Sequence, residues 1–246
     1  MIMKGAADNG LETQLDIGGE LVPVRVRRHP RARRILMRLE RTGRAVRVTV
    51  PDWVSLQSGV DFASWKSGWI AEHLENRPQP VPFAHGVRIP LRGQMHMIFH
   101  VPERRGVVWA EGKDETARIC VTGAQEHLPR RLLDWLKQQA KADLTEACRH
   151  YAARMGQSFA RIFVRDQKSR WGSCSARGNL AFSWRLILAP PEVLDYLAAH
   201  EVAHLAELNH SARFWKLVRA HCPHVDRAEE WLSEHGSELH VWGARE

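Results

Sequence analysis

Two histidines four positions apart, His200 and His204, constrain this chain more than any other feature of its sequence. A helix has about 3.6 residues per turn, so the two imidazoles lie on one helical face and can bind the same metal ion. The carboxylate of Glu201 lies about 100° away around the helix axis, beside a metal-bound water rather than on the metal. There it can accept a proton as the water attacks a carbonyl, and return that proton to the leaving amine. The stretch therefore predicts a helix that carries a hydrolytic metal centre, with Glu201 as its catalytic residue.

The third metal ligand is predicted to be His210. On a continuous helix this residue would lie about 280° around the axis from His200, so the helix must end before it. Asn209 tolerates the left-handed conformation that ends helices, and Ser211 can cap a second helix. Three protein ligands leave a fourth position for water, which is the pattern of a catalytic zinc site. The expected cofactor is one Zn²⁺ bound by His200, His204 and His210.

The apolar neighbours of these residues distinguish the stretch from an accidental match on a surface helix. Leu194, Leu197, Val202 and Leu205 surround the motif and indicate a buried helix. Histidine and glutamate side chains on a buried helix need polar partners, because burying such groups unpaired costs free energy. A metal ion supplies that partner.

Length and composition limit the other possibilities. A chain of 246 residues forms one large domain or two small ones. No apolar run approaches the roughly 20 residues of a membrane span, and the first ten residues lack the apolar core of a signal peptide. The four cysteines form no closely spaced pair, which is typical of free thiols in a reducing compartment. We therefore expect a cytoplasmic protein without a membrane partner.

The hydrophobic patterns predict an α+β fold in three parts. Residues 1–19 are polar and are expected to form a flexible leader. Residues 20–122 read as a β-rich region of short strands, with one helix at 59–76 whose aromatic residues pack in the core. Residues 123–246 are expected to form the helical and sheet core that carries the metal site, beginning with a long helix at 128–155.

An arginine-rich segment leaves two interpretations open. Residues 25–47 contain ten arginines and a single acid, Glu40, in a chain of net charge +8. On alternating strands these side chains fall largely on the solvent face, where they form either an ordinary solvated surface or an interface for nucleic acid or an acidic protein. The sequence has no nucleic-acid-binding motif that would decide between the two.

The loop before the catalytic helix is the candidate substrate-binding element. It comprises Arg170, Trp171, Gly172, Ser173 and Cys174. One hypothesis is that this stretch binds the substrate backbone by strand addition. The alternative is a structural turn in which Trp171 fills the core.

An oxyanion-stabilising donor is also needed. Arg170 and Tyr196 are the candidates, although Tyr196 lies one helical turn before His200 and can equally serve packing.

Several motifs together resemble the YgjP-like metallopeptidase family, which was long called a domain of unknown function and is related to the SprT-like zinc proteases. The resemblance extends over residues 20–242. Its motifs are Gln167-Lys168-Ser169-Arg170-Trp171-Gly172-Ser173-Cys174, Asn179-Leu180, Asp195-Tyr196, His200-Glu201-Val202-Ala203-His204 and Asn209-His210-Ser211 followed by Phe214-Trp215.

The resemblance implies a zincin-like core in which the histidine-bearing helix packs on a small sheet and a following element supplies the third histidine. It assigns His200, His204 and His210 as zinc ligands and Glu201 as the catalytic glutamate, with a protein or peptide as substrate. Two alternatives stay open. The zinc could be mainly structural in a nucleic-acid-associated protein, or the enzyme could hydrolyse a non-peptide amide, because the metal motif activates water without choosing the acyl group.

Overall fold

The computed structural model describes residues 4–7, 10–40, 45–75, 79–104, 108–167 and 169–243. The chain divides into two units, Met1–Gln79 and Pro80–Glu246, and each has its own hydrophobic core. Both units combine helices with sheets, so the predicted α+β class is confirmed. The boundary between the units lies well before the expected one at residue 122. The strands up to that point belong with the long helix that follows them, because Ile98 and Ile119 pack in the same cluster as Leu132.

The first unit is built on a five-stranded sheet. Its strands are β1 (Lys4–Ala7), β2 (Gly10–Ile17), β3 (Glu20–Arg28), β4 (Leu36–Leu39) and β5 (Val46–Val50), in the spatial order β1-β2-β3-β5-β4. Strands β3 and β5 run parallel, and the other neighbouring pairs are antiparallel. Strands β4 and β5 are consecutive and antiparallel, and the residues between them at 41–44 lie outside the described residues.

Two helices, α1 (Leu56–Trp65) and α2 (Ser67–Glu75), follow the sheet. Helix α1 packs on the face of buried valines, where a Cβ atom on Gly59 would lie 2.5 Å from Val26 Cγ1. Only glycine permits so close an approach of helix to sheet. The opposite sheet face carries the exposed side chains of Arg25 and Arg47.

The single helix expected at residues 59–76 is therefore two helices, divided at Lys66. Its aromatic residues are not core residues as predicted, since Trp65 is 72% exposed and Trp69 is 38% exposed. The helical spacing of these aromatic residues is compatible with a buried face. In the structure, however, the buried faces of α1 and α2 consist of small and aliphatic residues such as Ala63 and Ile70.

The expected flexible leader is also corrected. Residues 10–17 form β2, which pairs along its whole length with β3. The alternation of Leu11, Thr13, Leu15 and Ile17 turns one side of this strand toward the core, and Ile17 is buried there.

The second unit contains two small sheets. Strands β6 (Arg88–Leu91), β7 (Gln94–Val101), β8 (Trp109–Glu111) and β9 (Arg118–Thr122) form a four-stranded sheet in the order β6-β7-β9-β8. Strands β10 (Arg161–Arg165), β11 (Gly172–Cys174) and β12 (Asn179–Ser183) form a three-stranded sheet in the order β10-β12-β11. Strand β12 is parallel to β10 and antiparallel to β11, so β11 lies at the edge of its sheet.

Four helices complete this unit. They are α3 (Leu128–Met155), α4 (Pro191–Ala203), α5 (Ala212–His221) and α6 (Val225–His235). Helix α3 has the predicted bounds and buries a stripe that includes Leu136 and Leu144. It ends at Gly156, which adopts the left-handed conformation that commonly terminates helices. No helix in the described part of the chain is long and apolar enough to cross a bilayer.

A buried arginine ties the C-terminal segment to this core. Arg185 is only 5% exposed and lies in a 3₁₀ helix at Trp184–Leu188. Its guanidinium donates to the carbonyls of Leu239 (2.8 Å) and Trp242 (2.6 Å) and to the carboxylate of Asp166 (3.1 Å). These bonds fix the chain end beside the sheet that contains β11.

Candidate metal centre

Helix α4 brings His200 and His204 to one face, as the sequence predicted. The helix ends at Ala203, and α5 begins at Ala212 after Ser211, whose hydroxyl accepts a hydrogen bond from Phe214 N at 3.3 Å. The helix break expected before His210 is therefore present. It turns His210 back so that its Nε2 lies 3.0 Å from His200 Nε2. One nitrogen from each of the three histidines lies within 4.8 Å of the others, and this is the one cluster in the described ranges that could hold a metal ion.

Two aromatic residues hold the imidazoles in place. Phe214 is fully buried, and its ring stacks on His204 at a centroid distance of 4.4 Å. It meets His200 and His210 edge-on, at 4.9 Å from each. Trp215 stacks on His210 at 5.9 Å. The first turn of α5 thus packs against all three imidazoles.

The outer nitrogens of two histidines have hydrogen-bond partners. His204 Nδ1 lies 3.0 Å from the carbonyl oxygen of Glu207, and His200 Nδ1 lies 3.2 Å from the hydroxyl of Tyr196. A backbone carbonyl only accepts, so His204 Nδ1 carries the proton and Nε2 keeps its lone pair for a metal.

Tyr196, one of the two candidate oxyanion donors, is engaged on the outer side of His200. Its hydroxyl contacts the nitrogen of His200 that faces away from the cluster, and its side chain is only 3% exposed. It also donates to Glu229 Oε1 at 2.8 Å.

Two of the histidines, His200 and His204, are held neutral, as metal ligands must be. Burial, and after it the neighbouring His204 and His210, lower the pKa of His200 to about 3. Burial is also the main cause of the lowered pKa of His204. At neutral pH both rings therefore offer lone pairs rather than N–H⁺ groups.

Glu201 is buried, and one of its carboxylate oxygens is a free acceptor. The side chain is 4% exposed, and its Oε2 has no hydrogen-bond partner among the residues that the structure describes. Burial raises its pKa to about 7, and the charge of Arg170 opposes that rise. A buried carboxylate oxygen without a partner is costly unless something else binds it. This orphaned oxygen and the three imidazoles form a donor set that fits a divalent metal and its water.

Within the stretch from Arg170 to Cys174, residues Gly172–Cys174 form β11, which packs against α4. Gly172 lies directly against Glu201, since a Cβ atom on this glycine would be 2.4 Å from Glu201 Oε1. Trp171 is half-buried and stacks on His240 at 5.0 Å, so it does have a packing role. Arg170 is exposed, and Cys174 is a half-buried free thiol whose pKa is raised by burial and then by Glu201.

The hydrogen-bond pattern of β11 shows which peptide groups face outward. Trp171 O accepts from Ser183 N at 2.8 Å, and Ser175 N donates to Asn179 O at 2.9 Å. In an antiparallel ladder only alternate residues bond to the same neighbour, so Ser173 shares this inward orientation. The N–H and C=O groups of Gly172 and Cys174 consequently point away from β12, toward the open edge.

Comparison with known proteins now decides the family. The model of the family described as "YgjP-like, metallopeptidase domain" matches residues 33–235. The chain belongs to the YgjP-like metallopeptidases. It is accordingly a hydrolase at family level, and the family implies a metal cofactor. No curated protein matches the chain.

Among solved structures, the metallopeptidase zymogen abylysin of Pyrococcus abyssi is similar over part of this YgjP-like protein. The two are 23% identical, and the match covers 39% of this chain and 95% of abylysin with a TM-score of 0.35.

Sequence reasoning missed two contributors to this YgjP-like site. Glu229 lies on α6 and reaches the cluster only through Tyr196, and His240 packs on Trp171 from the C-terminal segment. Neither residue has a local sequence signal, because both reach the site through tertiary packing.

Proposed function

We propose that this protein is a zinc-dependent peptidase in which Glu201 is the general base. The observation that carries the proposal is the unpartnered, buried carboxylate oxygen of Glu201, which directly follows His200 on the helix whose histidines converge with His210. Histidine nitrogen ligands and a four-coordinate site with one open position favour zinc among the common divalent metals.

Each residue then has a defined task. His200, His204 and His210 would hold the zinc, which when bound polarises the scissile carbonyl and lowers the pKa of water. Glu201 accepts a proton from the attacking water at the carboxylate and donates it to the nitrogen of the leaving amine. The exposed guanidinium of Arg170 is the remaining candidate to stabilise the oxyanion, since Tyr196 faces the wrong side of His200.

The substrate is proposed to bind as an added strand on β11. The outward N–H and C=O groups of Gly172 and Cys174 can pair with an extended peptide. Because Gly172 contacts Glu201, a peptide in this position runs past the catalytic carboxylate. The four cysteines are all free, which suits action in a reducing compartment such as the cytosol.

The test compares wild type with Glu201→Gln, both loaded with zinc, in a cell extract whose new protein N-termini are mapped by mass spectrometry. The variant keeps the shape of the side chain and loses its basicity, so N-termini that form only with wild type identify peptide-bond cleavage. Equal zinc content in the two proteins is the control. Cleavage that persists in Glu201→Gln contradicts the assigned role, and no cleavage by wild type favours a non-peptide amide or a structural zinc.

A second activity, binding of single-stranded nucleic acid, is favoured by the open face of the first sheet. Arg25, Arg47 and Arg38 lie side by side across β3, β5 and β4. Like charges directly opposite one another destabilise a sheet. Two acids offset part of the repulsion here: Glu40, at 2.6 Å from Arg47 and 3.2 Å from Arg25, and Glu12, at 3.2 Å from Arg25. Such a row of cations suits a polyanion.

The same unit places an exposed aromatic residue next to further arginines. Strands β3 and β5 are neighbouring and parallel, so the loops that follow them both leave at the C-terminal ends of these strands, on the same side of the sheet. One loop carries exposed Arg31, Arg33 and Arg34, and the other carries Trp53, which is 73% exposed. An indole beside cationic side chains fits stacked bases and phosphates better than it fits an acidic peptide.

Binding of a fluorescein-labelled oligothymidylate, followed by anisotropy across salt concentrations, tests this surface. Reversing Arg31, Arg33 and Arg34 to Glu should weaken binding and reduce the slope of log K against log salt by about 2, since each phosphate on a single strand contributes about 0.7. The matched control has the same charge change in the second unit, at Lys141, Arg149 and Arg161. Displacement by polyglutamate at equal charge concentration would instead indicate an acidic protein partner.

A further inference from the structure

The hydroxyl of Tyr196 connects a metal ligand to a carboxylate on another helix. It lies 3.2 Å from His200 Nδ1 and 2.8 Å from Glu229 Oε1. Tyr196 is on α4, one turn before His200, and Glu229 is on α6. The phenol is almost completely buried, whereas Glu229 is an exposed residue that extends inward from the surface.

The polarity of these two hydrogen bonds is fixed by their chemistry. Glu229 Oε1 only accepts while ionised, so the single proton of the Tyr196 hydroxyl goes to Glu229. The phenol oxygen is then left to accept from His200 Nδ1. In a neutral imidazole with its proton on Nδ1, Nε2 carries the lone pair. That nitrogen is the one that faces His210 at 3.0 Å.

The opposite polarity would disable the ligand. If the Tyr196 proton went to His200 Nδ1, the imidazole proton would move to Nε2 and point into the cluster. Glu229 would then face a phenol lone pair without a hydrogen between the two oxygens. His204 has no such ambiguity, because its Nδ1 partner is the carbonyl of Glu207. His200 alone depends on a group that can both donate and accept.

We propose that Glu229, acting through Tyr196, is a positioning residue that holds His200 in the tautomer that binds metal. The inference rests on the proposed metal site, and it adds a second layer of contacts that joins α6 to the catalytic helix. Outer partners of this kind typically contribute about 10- to 100-fold to metal affinity.

The tautomer is tested in the metal-free protein, by long-range ¹H–¹⁵N correlation spectra of the histidine rings. Wild type should show His200 with its proton on Nδ1. In Tyr196→Phe and Glu229→Ala, His200 should shift toward the Nε2–H form. The ring of His204 is the internal control and should keep its Nδ1 proton in every variant. A merely structural role for Tyr196 or Glu229 would not change one ring selectively.

Zinc affinity, measured by competition with a chelator, is the second readout. Tyr196→Phe and Glu229→Ala should each weaken it about 10- to 100-fold, and the double variant should be little worse than either alone, because both changes break one chain of hydrogen bonds. Glu229→Gln should fall between wild type and Glu229→Ala, since its amide oxygen still accepts but carries no charge. Glu230→Ala, a change at the neighbouring exposed carboxylate, should leave the affinity unchanged.

The outcomes separate this inference from the proposed peptidase activity. An Nε2–H tautomer of His200 in wild type, or a zinc affinity of Glu229→Ala within twofold of wild type, overturns the positioning role. An Nδ1–H tautomer that depends on Glu229, in a protein that cleaves no peptide, supports the positioning role and contradicts the peptidase. Because Glu229 is exposed, its variants test the inference even if Tyr196→Phe fails to fold.

Discussion

Replacing Gly172 by alanine should displace the carboxylate of Glu201, the proposed general base, without changing any of the three proposed metal ligands. The new methyl group would lie 2.4 Å from Glu201 Oε1, 2.7 Å from Cγ and 2.8 Å from Cδ. Reaching an ordinary contact of 3.4 Å requires a movement of about 1 Å, and a misplacement of that size typically costs about 100-fold in rate. We expect kcat/KM to fall about 100-fold, equivalent to about 2.7 kcal/mol of transition-state stabilisation.

The assay is turnover of a fluorogenic peptide that contains a cleavage sequence found in the cell-extract experiment. Zinc content and thermal unfolding are measured on the same samples, and both should stay close to wild type. Gly68→Ala is the matched control, because a Cβ atom there meets nothing within 4 Å. It should have wild-type activity.

A double-mutant cycle with Glu201→Asp tests whether the loss of activity comes from the contact between residue 172 and the carboxylate. The shorter carboxylate leaves room for the methyl group, so the double variant should lose less activity than the two single losses combined. Gly172→Ala with activity within threefold of wild type, or fully additive losses, would refute the assigned contact.

Three further predictions concern the ligands, the core and the first sheet. His210→Ala should lower zinc affinity more than either Tyr196→Phe or Glu229→Ala does, as measured by chelator competition; an unchanged affinity would exclude His210 as a ligand. Arg185→Ala should destabilise the second unit by about 2–4 kcal/mol in urea unfolding, since it leaves the buried carbonyl of Leu239 and the partly buried carbonyl of Trp242 without their donor, and a loss below 1 kcal/mol would contradict that anchor. Arg47, then Arg25, lower the pKa of the Glu40 carboxyl below its ordinary value of 4.5. The ionised carboxylate therefore stabilises the fold above pH 4.5, and this stabilisation is lost as the pH falls through the folded pKa. Glu40→Gln should therefore melt below wild type at pH 7, with the two curves converging below pH 4.5; a constant difference would mean that ionisation is not the cause.

Local patterns in the sequence were sufficient for the centre of the site. The four-residue spacing of His200 and His204 determines a shared helical face wherever that helix packs, and the position of His210 requires a break that the structure contains. The alternation of Val22, Val24 and Val26 is likewise a local pattern typical of a strand, and all three are buried in β3.

What sequence reasoning missed depends on how distant elements pack. Glu229 meets Tyr196 across 33 positions, and no periodicity in α6 reveals that contact. The exposure of Trp65 and the end of α1 at this residue depend on which face of the helix meets the sheet. Tyr196 was assigned to the reaction because of its position along α4, but the direction of its side chain is set by α6.

Strand β11 lies at the edge of its sheet, and the proposed addition of substrate to it limits which polypeptides can be substrates. A guest that pairs with Gly172 and Cys174 must present its own peptide groups, and those groups are already occupied in any helix or inner strand. Breaking those hydrogen bonds in a folded protein requires the free energy of local unfolding. An already unfolded segment loses only conformational entropy when it becomes extended. Contacts through the peptide backbone are also largely indifferent to the side chains that it carries. Such an enzyme would distinguish its substrates by their state of folding more than by their sequence. It would cleave unfolded segments and leave folded proteins intact.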